Sequence, residues 1–130
     1  MRVFATKWFV RFARKEGLSE KRLREAIERV EQGSIDADLG GNLIKQRVAR
    51  SGRGRSSGYR TLIAYQAAKR SVFLYGFAKQ ERDNIDAREL ADLKKLVARF
   101  LSLDDEQIGK AVEAQELKEL TTDGEDDKEG

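Results

Sequence analysis

The stretch Leu43–Ala78, LIKQRVARSGRGRSSGYRTLIAYQAAKRSVFLYGFA, decides the fold. From Leu43 to Arg50 the side chains alternate, with Ile44, Gln46 and Val48 facing one way and Lys45, Arg47 and Ala49 the other. A period of two belongs to a strand, whose successive side chains point to opposite faces of a sheet. Tyr59 to Ala67 and Val72 to Ala78 are rich in β-branched and aromatic residues, the composition that fits a pleated surface. The intervening Ala68-Lys69-Arg70-Ser71 is short enough for a hairpin turn. Three strands joined in succession make an antiparallel meander.

On either side the period lengthens. Arg2 to Ala5 reads as a short first strand. Thr6 can cap a helix in which Phe9, Phe12 and Ala13 share a face and which Gly17 ends. Ser19 caps the next, with Leu18 and Leu23 at the positions of a hydrophobic staple. Leu23, Ala26, Ile27 and Val30 keep the helical spacing, and Gly33 stops it. After the meander, Asp86 with Glu89 matches a capping box, Ile85 with Leu90 a staple, and Leu90, Leu93, Val97 and Phe100 form one stripe. Asp104 to Val112 reads as a further short helix, and Leu117 to Leu120 as an edge strand. The expected fold class is α+β: an N-terminal helix hairpin packed on an antiparallel sheet meander, with a C-terminal helix, all helices in one layer.

At 130 residues the chain allows one domain, taken as residues 1–121, followed by an acidic tail, 122–130, with nothing to bury and expected to be disordered. Charge is split along the chain. Residues 1–103 carry 23 Lys and Arg against 12 Asp and Glu, and residues 104–130 carry 3 against 11. A basic body fits a polyanionic partner, and the tail is either a solubiliser or a competitor for the basic surface. With no Cys there is no thiolate nucleophile or thiolate metal site, and with no His there is no imidazole base, catalytic triad or HExxH site. Any catalysis falls to Lys, Arg, Tyr, Asp or Glu. No run approaches the ~18 apolar residues of a membrane-spanning helix. The basic opening, Met1 to Lys15, is followed by no apolar segment or cleavage site, so the expected location is cytoplasmic.

The chemistry concentrates in Lys45 to Arg60, which holds Lys45, Arg47, Arg50, Arg53, Arg55 and Arg60 and no acid. Cations on two adjacent strands and their connection can converge on a phosphate backbone, where Arg gives bidentate contacts. Tyr59 and Tyr65 offer aromatic surface for stacking on an unpaired base. The bland alternative is a hairpin loop with solvated arginines. Gly52, Gly54 and Gly58 fit neither GxGxxG nor a Walker loop, which argues against nucleotide triphosphate binding. A second polar cluster, Lys79-Gln80-Glu81-Arg82-Asp83, follows the third meander strand.

At these segments the chain resembles the RelE/HigB group of the RelE/ParE toxin superfamily. The likeness is carried by ADLGGNLIKQRVARSGRGRSSGYRTLIAY (Ala37 to Tyr65), VFLYGFAKQERDNI (Val72 to Ile85) and the helix opening DARELADLKKL. The resemblance implies a ribosome-dependent mRNA endonuclease that inhibits translation, using attack of a 2′-OH on the adjacent phosphate with no metal and no other cofactor. It also implies a cognate antitoxin as partner besides the ribosome and mRNA, operator DNA only in the toxin–antitoxin complex, and no membrane. Carried over residue by residue, Arg60 would clamp the scissile phosphate, with Lys79 and Arg82 at the end of the last strand. Lys45, Arg47, Arg50, Arg53 and Arg55 would position RNA. Gln80 and Asp86 stand where some members have Arg and Tyr, leaving Glu81 or Tyr75 as the candidate base. The alternative is a non-catalytic module of the same fold acting on nucleic acid or a topoisomerase.

Overall fold

The computed structural model describes residues 1–49, 58–79 and 84–121. In chain order the elements are β1 (Arg2–Thr6), α1 (Lys7–Glu16), α2 (Glu20–Glu31), β2 (Ala37–Asp38), β3 (Leu43–Val48), β4 (Tyr59–Gln66), β5 (Arg70–Ala78), α3 (Ala87–Ser102), α4 (Asp105–Glu113) and β6 (Leu117–Leu120). The strands form one sheet in the order β2-β3-β4-β5-β1-β6. Strands β3, β4 and β5 are the antiparallel meander that the alternation predicts. Beside it, β1 runs parallel to β5 and antiparallel to β6, so the first and last strands are neighbours. The segment 122–130 lies outside the described residues.

The helices do not form the single layer expected from the sequence. Val3, Ala5, Ile44, Val48, Ile63 and Phe73 pack with Phe9, Ala13, Leu23, Ile27 and Val30 of α1 and α2. Their strand neighbours Phe4, Leu43, Leu62, Ala64, Val72 and Leu74 pack with Leu93, Val97 and Phe100 of α3 and Ile108 and Ala111 of α4. The sheet is therefore covered on both faces. This explains why the central strands read as near-continuous apolar runs rather than clean alternations.

Local chemistry fixes the helix ends. The Thr6 hydroxyl accepts from the Phe9 N–H and donates to the Leu74 carbonyl at 3.1 Å, tying the start of α1 to β5. Gly17, at φ 72°, supplies the left-handed residue that ends α1. Asp86 and Glu89 close the N-terminus of α3 reciprocally, and Asp104 with Gln107 does the same for α4. At the other end of α3, Arg70 reaches across from β5. Its Nη1 donates at 2.8 Å to both the Phe100 and Leu103 carbonyls, which the helix itself leaves without partners. Gly76 lies beneath Phe12, where a Cβ would stand 2.5 Å from the ring, so its lack of a side chain sets how closely α1 approaches β5. Among the described residues no helix is long and apolar enough to cross a membrane.

Candidate functional site

The site is built on the face of the sheet that carries α3. Leu43 packs into the α3 cluster, so Lys45 and Arg47, two and four residues on, point the same way. On β4, Leu62 and Ala64 mark that face, and Arg60 shares it. The register then sets whole rungs. Arg47 stands opposite Arg60, which stands opposite Phe77, and Lys45 stands opposite Leu62, which stands opposite Tyr75. Tyr75 packs against the α3 cluster, and its ring centroid lies 6.2 Å from that of Phe77. Three half-buried cations, Tyr75 and the buried Phe77 thus share one end of one sheet face.

Neighbouring groups hold β3 in place. Gln46, fully buried on the opposite face, donates to the Ser34 carbonyl at 2.9 Å and accepts from the Asp36 N–H at 3.0 Å. The Asp36 carboxylate accepts from the Arg47 N–H at 2.6 Å, and the Arg29 guanidinium donates to the Arg47 carbonyl. The Thr61 hydroxyl donates to the Gln46 carbonyl at 2.8 Å, adding a side-chain bond to the β3–β4 ladder. Both main-chain groups of Arg47 are engaged, so its side chain projects from a fixed base.

The electrostatics of the first rung are unusual. Like charges directly opposite on neighbouring strands destabilise a sheet, yet Arg47 and Arg60 are so placed. Arg60 is half-buried, and its Nη1 is buried with no hydrogen-bond partner. A guanidinium carries five N–H donors and is never deprotonated, so a donor left empty inside the protein awaits an acceptor. The chemistry that completes this arrangement is an anion with several oxygens, such as a phosphodiester. Lys45 adds an ammonium whose Nζ lies 3.4 Å from the Asn84 side-chain oxygen, just before the N-cap of α3. Lys79 is exposed at the same end of the sheet, its N–H donating to the Gly58 carbonyl at 3.3 Å. Among the described residues no three His, Cys, Asp or Glu side chains gather where they could hold a metal ion.

Not every residue singled out from sequence joins this face. Tyr59 is buried on the opposite face, edge-on to Phe12 with centroids 5.7 Å apart, and its hydroxyl donates to a Glu16 carboxylate oxygen at 3.0 Å. Tyr65 packs against the α1–α2 cluster, where burial and, secondarily, the Glu31 charge raise its phenol above the ordinary value. Neither tyrosine is available to stack on a ligand held at Arg60. The parity of β4 explains both: Tyr59, Thr61, Ile63 and Tyr65 alternate with Arg60, Leu62 and Ala64. Arg50, Arg53, Arg55, Glu81 and Arg82 lie outside the described residues. Phe77 was not singled out from sequence. Its pairing with Arg60 is the signal that finds it, and pairing requires the register.

A protein-family model described as the RelE toxin of the RelE/RelB toxin–antitoxin system matches residues 1–120. No curated protein matches the sequence.

Proposed function

Matched by its family model over residues 1–120, the chain belongs to the RelE toxin family, and on that premise we propose that it is a ribosome-dependent mRNA endonuclease whose cutting arrests translation. The observation that carries the reading is the Arg47–Arg60 rung, two like charges side by side with one guanidinium donor buried and empty. A protein gains nothing in its free state from that arrangement, but a phosphodiester in transit between two geometries would.

In the proposed reaction a ribose 2′-oxygen attacks the adjacent phosphorus and the 5′-oxygen leaves, giving a 2′,3′-cyclic phosphate. Negative charge grows on the equatorial oxygens as the phosphorus becomes five-coordinate. Arg60 would meet that charge with donors already oriented, which is how preorganised groups lower a barrier. Arg47 and Lys45 would hold the flanking backbone, and the half-buried Tyr75 stands beside it. Lys79, and Arg82 beyond it, would add charge at the leaving-group end. For the proton taken from the 2′-OH, Tyr75, on the rung next to Arg60, and Glu81 are the candidates. In the cell the partner would be an antitoxin that covers this basic face, the proposed location is the cytoplasm, and operator DNA would be met only as the pair.

A second reading keeps the fold and drops the chemistry. Asp86, where some relatives place a tyrosine, spends its carboxylate on the Glu89 N–H as a helix cap. Without a base the same face would only bind nucleic acid or a protein such as a topoisomerase. Mapping message ends after induction in growing bacteria separates the two. Cuts within translated messages, lost with Arg60→Ala, support the nuclease, with the single-turnover rate reduced by ~10²-fold or more, as for a lost transition-state donor. Arrest with intact messages refutes it.

A further inference from the structure

The outer arc of α1 is as one-sided in charge as the rung, and it lies on the opposite face of the sheet. Phe9 and Ala13 turn inward, and the exposed residues of α1 are Lys7, Trp8, Arg11, Arg14 and Lys15. Four are cations, and the fifth is the sole tryptophan of the chain, 47% exposed. Some surface cations elsewhere have acids: Arg2 pairs with Glu119, Arg99 with Glu116, Lys110 with Glu106 and Lys118 with Glu20. Among the described residues the four cations of α1 make no ion pair.

Helix stability accounts for only part of this pattern. Arg14 and Lys15, in the last turn, complement the helix dipole, but Lys7 opens the helix, where a cation opposes it and where no acid is present. Lys7, Arg11 and Lys15 recur every four residues, a rise of about 6 Å per step, comparable with the repeat of phosphates along one nucleic-acid strand. Trp8 stands beside that row, with Lys7 Nζ 5.6 Å from its ring centroid. A cationic row with an adjacent exposed ring suits a backbone flanked by an unpaired base, as in an RNA stem–loop.

We infer that the outer face of α1 is a second RNA-docking surface, which grips a stem–loop by its backbone and stacks Trp8 on a loop base. This extends the proposed function from the cleaving face to the opposite one. The contact would orient the toxin on structured RNA while the rung engages the message. Its test reads binding rather than cutting, so the two proposals fail separately.

Because Trp8 is the only tryptophan, its emission reports on this face directly. The full chain is titrated with an RNA stem–loop of about ten base pairs across a range of salt. The expected result is a saturable change in Trp8 emission. The triple variant Lys7→Gln, Arg11→Gln, Lys15→Gln should bind ~10-fold more weakly and lower the salt slope by about 2 to 3. Gln is a good helix former, and unchanged far-ultraviolet dichroism verifies the fold; Arg11→Gln alone should lower the slope by just under ~1. Lys69→Gln, which removes an exposed cation in the β4–β5 turn, should leave this binding within about two-fold, since distant sites act independently. Equal binding by the triple variant, or an equal loss with Lys69→Gln, overturns the inference. So does a DNA duplex of the same length binding as well as the RNA. If truncation after Thr121 shifts Trp8 emission without RNA while the full chain ignores the stem–loop, the face belongs to the acidic segment 122–130 and the inference is also overturned. A chain that binds the stem–loop at Trp8 yet cuts no message keeps this inference and loses the nuclease.

Discussion

Replacing Arg60 with methionine should make the free protein more stable while abolishing its proposed cleavage. The half-buried guanidinium contributes two unfavourable terms. A buried donor without a partner costs about 1–3 kcal/mol, and Nη1 is one. A like charge directly across the ladder costs up to about 1 kcal/mol, and Arg47 occupies that position. Methionine keeps most of the aliphatic stem of Arg60, which stands opposite Phe77 in the ladder, so the lost packing is small. The net gain should be about 1–2 kcal/mol, which at this chain length raises the midpoint of thermal unfolding by several degrees. Urea unfolding followed by circular dichroism in phosphate-free buffer measures it. Repeating the titration in phosphate adds a second reading. An anion that binds only the folded wild type stabilises it by mass action, so the gap between the two proteins should narrow as phosphate rises. A methionine variant destabilised by ~1 kcal/mol or more would mean that the guanidinium makes interactions that matter in the free state. A gap indifferent to phosphate would mean that the rung is not an anion site.

Three other substitutions test the frame that presents the rung. Gly76→Ala should cost about 1–3 kcal/mol by forcing Phe12 off β5 and disturbing its edge contact with Tyr59; an unchanged urea midpoint would mean that α1 yields freely. Arg70→Met should cost about 2–4 kcal/mol by stripping the Phe100 and Leu103 carbonyls of charged donors, again read by urea unfolding, and a loss under ~0.5 kcal/mol would show water replacing them. The raised phenol of Tyr65 is worth stability that is complete below the ordinary tyrosine range and is lost as pH climbs through the folded value. Urea midpoints across that alkaline range should therefore fall more steeply for the wild type than for Tyr65→Phe, and parallel curves would refute the assignment.

The meander and the caps could be read from sequence because both are local. Alternation in Leu43 to Val48 sets the direction of Lys45 and Arg47, and Asp86 with Glu89 carries its capping box in four residues. What escaped the reading depends on residues far apart. The seat of β1 beside β5 pairs Val3 with Ser71, and no pattern within either segment announces it. That insertion also separates the two helix layers, since β1 contributes Val3 and Ala5 to one side and Phe4 to the other. In the site, Lys45 and Arg47 on one face of β3 were legible, but the seat of Arg60 opposite Arg47 was not. Arg47 meets Arg60 only through the register, which the Gly/Ser connection leaves open from sequence. The reading of Tyr59 as a stacking platform went astray because residue type outweighed parity. The neighbour of an outward arginine on a strand faces inward.

The seat of β1 has a consequence for the order in which the molecule comes into being. Made before either partner, residues 2–6 find those partners only in β5 and in β6, which follow much later in the chain. Contacts between such distant segments form late and slowly, because loop closure precedes any reward. During synthesis the sheet stays open along β1 until residues 117–120 are free. A growing chain is thus denied its finished sheet until β6 has been made.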